Sequence, residues 1–284
     1  MNRVVQSIVR TAIIAVALVI LEWLLGLVFP ADRLAAEPTG VAGGLGLSLL
    51  SAVCLAAPLA FPLSRSRLSG RALLGAVFLT VFGLTTVLTQ VEAALFLDLT
   101  ARELLSTTLR LTVTSLALAW LAVALYPRRD TALVGLAPGP NPPTTASWVR
   151  RWVGVSLVYL VLYITAGLLI LPIIRSWYEA QGTLNQNPAL VFPLQIVRGA
   201  LFVAFVVPLL RSMRVTRWQA ALAMAVMIPL VHGLAALIPP NALMPTYVRH
   251  AHMIEIGWSN FVLGLLIGFL FWNPRPGVAA SNGT

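Results

Sequence analysis

Apolar runs of similar length recur along the chain at 11–29, 41–63, 72–97, 105–126, 153–174, 190–210, 220–238 and 254–272, separated by short polar stretches. Each run is close to the roughly 20 residues that a helix needs to cross the hydrocarbon core of a bilayer. The pattern therefore predicts an all-α fold, a polytopic bundle of eight transmembrane helices in a single integral membrane domain. The first run follows Arg3 and Arg10 and precedes Pro30, as a signal peptide would. It is long for such a segment, contains Glu22 and is followed by no small-x-small cleavage site, so it reads as an uncleaved first helix.

The arginines between the runs give the topology. On one side fall Arg3 and Arg10, then Arg65, Arg67 and Arg71, then Arg128, Arg129, Arg150 and Arg151, then Arg211, Arg214 and Arg217, and finally Arg275. The other side holds Arg33, Arg102, Arg175 and Arg249 with the acidic Asp32, Glu37, Asp98, Glu103 and Glu179. Basic residues gather in cytoplasmic loops, so both termini are expected in the cytoplasm, and a bacterial inner membrane is the expected location. Residues 127–149, with the segment APGPNPPTT, read as a proline-rich cytoplasmic linker between a first set of four helices (1–126) and a second (150–272), with a short tail at 273–284. The hexapeptides VEAALF at 91–96 and VRGALF at 197–202 share four positions, which reads as a chance match in a chain rich in Ala, Leu and Val or, alternatively, as an inverted repeat of the third and sixth helices.

Composition agrees with the membrane class and removes several functions. The chain is 59% hydrophobic and 10% charged, whereas about a quarter of a soluble domain is charged. All 19 basic residues are arginine, which excludes Schiff-base and P-loop lysine chemistry. The net charge of +10 is distributed as topology requires, so no nucleic-acid partner is inferred. Cys54, the single cysteine, lies in an apolar run and is read as a packing residue. The proline pairs and singlets at Pro172, Pro193, Pro208, Pro229, Pro239 and Pro240 are expected to break or bound the later helices.

Candidate chemistry comes from the depth of the polar residues, at 1.5 Å per helical residue. Glu22, Gln90, Glu92, Gln195, Arg198, His232, His252, Glu255 and Asn260 all fall toward the extracytoplasmic ends of their runs. Thr85, Thr89 and Glu92 are spaced by four and three, which puts them on one helical face. Arg198 is the expected partner of Glu92, because a buried charge is costly unless paired. The simplest reading of that pair is a structural salt bridge, and the alternative is a substrate or proton site. His252, Glu255 and Ser259 likewise share a side, and Gly264 and Gly268 form a G-x-x-x-G seam for a helix–helix partner. The histidine and glutamate are either an interfacial pair satisfied by water and backbone or, less compellingly, metal ligands. The sequence AHMIEIG lacks the zincin spacing, His250 points away from His252 on a regular helix, and no cofactor is named by any motif. The expected function is binding or transport of a small polar, amphiphilic or lipid ligand at this cluster. The alternatives are an intramembrane enzyme working at the extracytoplasmic surface and a structural subunit of a membrane complex.

Overall fold

The structure is a computed structural model that describes residues 2–29, 41–97, 99–126, 144–182, 187–241 and 244–272. Eight helices long and apolar enough to span a bilayer carry the fold: α1 (Arg3–Val28), α2 (Gly44–Ser64), α3 (Gly70–Phe96), α4 (Ala101–Leu125), α5 (Thr145–Ala180), α6 (Pro188–Ser212), α7 (Arg217–Leu237) and α8 (Thr246–Phe271). The chain is a multi-pass membrane protein. Its perimeter is what lipid requires: Ile8, Ile13, Trp23, Leu27, Val161, Leu168 and Leu169 present exposed apolar side chains outward. Of the proline-rich linker, 127–143 lie outside the described residues, as do the tail from 273 and Arg33, Asp32, Glu37 and Asp98.

Local chemistry sets the helix ends. Thr100 and Thr216 accept from the backbone N–H groups of Glu103 and Gln219, whose side chains return the bond, so α4 and α7 each open with a capping box. Thr144 and Asn187 cap α5 and α6. Arg249 sits buried after the end of α7 and donates to the carbonyls of Leu237 and Ile238, at 3.2 and 3.3 Å, groups that a helix end leaves without partners. Two expectations are corrected. Pro172, Pro193, Pro208 and Pro229 lie within continuous helices instead of ending them. Helix α5 also runs for 36 residues, far beyond the predicted 153–174, and reaches Trp177 and Tyr178 as helix. At about 54 Å it exceeds a bilayer core of about 30 Å.

Helices α3 and α7 form the centre, with 50% and 61% of their spans buried, against 17% to 39% elsewhere. They carry the same irregularity at the same place. Each begins with 13 α-helical residues, Gly70–Phe82 and Arg217–Pro229, followed by a five-residue π turn, Gly83–Val87 and Leu230–Leu234. A shift of 147 residues, from Gly70 to Arg217, superposes both segments. It also superposes buried positions: Leu73, Val77, Thr80, Val81, Leu84, Thr86 and Leu88 correspond to Ala220, Met224, Met227, Ile228, Val231, Gly233 and Ala235.

The loops entering these helices meet under the same shift. Ser66 and Met213 form an antiparallel bridge, in which Arg67 N–H donates to Ser212 O and Arg214 N–H to Arg65 O, both at 2.7 Å. Exchanging the two halves turns each of these bonds into the other, the reciprocity that a two-fold axis imposes on an interface. Helices α4 and α8 also share a burial pattern, but at a shift of 145 residues, two fewer than for α3 and α7. Thr114, Ser115, Leu118, Ala119 and Ala122 are buried, and so are Ser259, Asn260, Leu263, Gly264 and Ile267 at the matching places. Helix α3 thus corresponds to α7, which runs in the same direction, and not to α6 as the VEAALF match suggests.

Candidate functional site

A cavity of about 180 Å³ opens among α3, α5, α6, α7 and α8 at the end of the bundle opposite the Ser66–Met213 bridge. Its polar core is an ion pair between the third and sixth helices. Arg198 Nη1 and Nη2 donate to Glu92 Oε1 and Oε2 at 3.1 and 2.8 Å, a bidentate fork that a lysine would not form. Nη1 also donates to Gln195 Oε1 at 2.8 Å, one turn back on α6, and the guanidinium lies 5.8 Å from the Tyr159 ring centre. Arg198 is 1% exposed, whereas the Glu92 side chain is 36% exposed and faces the cavity. At the neighbouring Gly199 a Cβ would stand 2.8 Å from Ser156 Cα, so α6 approaches α5 at backbone distance.

The second pair belongs to α8. His252 Nδ1 donates to Glu255 Oε2 at 2.7 Å across one helical turn, and both side chains are largely buried. Because a carboxylate oxygen accepts only, this bond places a proton on Nδ1. Ser259 turns its hydroxyl back to Glu255 O at 2.6 Å, while buried Asn260 adds an amide to the cavity wall. Helix α8 begins at Thr246, so His250 and His252 both lie on regular helix and diverge; His250 is exposed.

His232 enters from the π turn of α7. Its Nδ1 donates to Leu84 O, 2.8 Å away in the π turn of α3, and its ring stands edge-on to Phe202 at 4.8 Å. A π turn widens the helix and displaces a carbonyl from its usual donor. The two irregular turns therefore complete each other, with one supplying the imidazole and the other the acceptor. The π turn of α3 also divides the stripe expected from its spacing. Thr85 bonds Ser115 of α4 at 3.0 Å, and Thr89 and Glu92 face the cavity.

Of the residues singled out in the sequence, Glu92, Arg198, His232, His252, Glu255 and Asn260 line one cavity, and Gln195 buttresses it. Glu22 does not join them. It accepts from Arg110 at 3.1 Å and from Thr114, both on α4, because α1 packs on α2 and α4. Gln90 stays outside the lining, with its Nε2 buried and without a protein partner. Among the described residues no three His, Cys, Asp or Glu side chains gather as metal ligands, and His252 and Glu255 bond each other. The glycine seam is occupied within the chain: a Cβ on Gly264 or Gly268 would lie 2.5 Å from Met224 O or Ala221 Cα of α7.

The sequence reading passed over the aromatic wall. Tyr159, Tyr163, Trp177 and Tyr178 of α5, with Phe96 of α3, surround the polar groups. The one available signal was Tyr159 and Tyr163, four apart in an otherwise aliphatic run, the spacing that puts two phenols on one face. Trp177 and Tyr178 tilt against each other at 5.2 Å inside the site. Compared with known proteins, the chain matches no family model, no curated protein and no solved structure.

Proposed function

We propose that this protein is a transporter of a small polar or amphiphilic ligand, held in the cavity between two four-helix units related by a two-fold axis along the bundle. The observation that carries the reading is the position of the cavity. It joins α3 of the first unit to α5, α6, α7 and α8 of the second at one end of the bundle, while the reciprocal bridge of residues 65–67 with 212–214 ties the units together at the other. Parallel repeats with a central site are a transporter architecture, in which one unit rocks against the other. The cavity-open form is then one of two end states. The arginine distribution orients it, with both termini and the bridge in the cytoplasm and the cavity on the outer side of a bacterial-type inner membrane.

Transport is tested through accessibility, without knowing the ligand. Ser259 lines the cavity, and Cys54 is the only native cysteine. In a Cys54→Ala, Ser259→Cys protein, a membrane-impermeant maleimide should label the new thiol from the outer face of intact cells and, more slowly, from the cytoplasmic face of inverted vesicles. Labelling from the outer face alone would reduce the protein to a binding module or a structural subunit.

A further inference from the structure

The charge balance of the cavity selects its ligand. Among the described residues Arg198 is its one arginine, and both terminal nitrogens bond the two oxygens of Glu92. That pair is neutral. The guanidinium is 1% exposed, so an anion would reach it only by displacing its neighbours, and its charge is already balanced by Glu92. His252 and Glu255 balance differently: with the imidazole uncharged their pair carries one full negative charge, and with it protonated none. Facing them are Glu92 from α3, Tyr163 and Tyr178 from α5, Arg198 from α6 and His232 from α7. None of these supplies a positive charge that is not already paired, provided both imidazoles are neutral.

The wall beside this charge is aromatic. Trp177 and Tyr178 lie at 5.2 Å from each other, and Tyr178 meets His252 edge-on at 6.4 Å, so the rings flank the His252–Glu255 pair. Indole and phenol faces next to a carboxylate attract a weakly hydrated cation, above all a substituted ammonium, because the ring quadrupole and the fixed charge act together in a site shielded from water. A bare metal ion would instead need several oxygen ligands.

We infer that the cavity binds a small organic cation, a substituted ammonium group seated between Glu255 and the Trp177–Tyr178 wall. The inference rests on the reading of the cavity as a ligand site and adds the class of ligand. At about 180 Å³ the cavity admits an ammonium head with short substituents and leaves any longer tail outside.

The test is calorimetry on the purified full chain in nanodiscs, with choline, its uncharged carbon isostere dimethylbutanol, and the matching carboxylate dimethylbutanoate. Choline is expected to bind at least about tenfold more tightly than either, because only it adds a cation–π contact and the attraction of Glu255. Glu255→Gln should lose that preference. Glu22→Gln, whose carboxylate lies outside the cavity, should bind choline as the native protein does. Tighter binding of the carboxylate, or native choline affinity in Glu255→Gln, overturns the cation while leaving a ligand site. Failure of all three probes to bind the folded protein overturns the ligand site as well.

Discussion

Removing either member of the Glu92–Arg198 pair leaves a different charge behind, and the difference can be worked out from the geometry. In Glu92→Gln the guanidinium remains, 1% exposed, with Gln195 Oε1, the Tyr159 ring and a single amide oxygen where two carboxylate oxygens had been. Stranding one partner of a buried pair costs about 3–5 kcal/mol. The surviving acceptors put this case near the lower end, about 3 kcal/mol. In Arg198→Met the orphan is Glu92, whose side chain is 36% exposed and can take up water in the cavity. Methionine keeps most of the packing of the arginine stem, so the expected cost is about 1–2 kcal/mol, including the bond lost by Gln195. The smaller, partly exposed residue should thus be the more damaging one to change. In the double variant no charge is stranded, and its loss should fall short of the sum by about 2 kcal/mol. Reversible unfolding of the purified proteins in mixed micelles measures all four corners of the cycle. A larger loss in Arg198→Met than in Glu92→Gln, or strict additivity, would refute the reasoning.

Two further predictions concern the helices that hold the site. Gly264→Ala or Gly268→Ala must push α8 from α7 by about 1 Å, since carbon contacts need about 3.5–4.0 Å and backbone atoms of α7 wait at 2.5 Å. A loss of about 2–3 kcal/mol in thermal unfolding is expected, with Gly257→Ala, which meets nothing within 4 Å, as the neutral comparison. His232→Leu should leave Leu84 O with only the long 3.4 Å bond from Thr89 Oγ1, costing about 1–2 kcal/mol, and hydrogen exchange should quicken in the π turns of both α3 and α7. Unchanged exchange in α3 would contradict the coupling of the two turns.

The hydrophobic pattern alone determined that this is an eight-helix membrane protein, because lipid leaves no other way to satisfy a spanning backbone. Residues such as Glu92, Arg198 and His252 also declared themselves, since ionisable groups in apolar runs demand partners. Partner choice was a different matter. Glu22 has the same depth and the same chemistry as Glu92, yet it is drawn to Arg110, and only the packing of α1 on α4 separates the two clusters. The π turns had no signature in composition: Gly83 opens one and Pro229 precedes the other, in runs that read as ordinary helix. Each is sustained by a contact from the other half of the chain, His232 to Leu84. The correspondence of α3 with α7 was equally hidden, because it survives in burial and length and not in residue identity, and burial exists only once the helices have packed. Sequence set which segments enter the membrane and which side chains need company there. Tertiary structure decided which of them met, through close approaches at Gly199, Gly264 and Gly268 that depend on two helices arriving together.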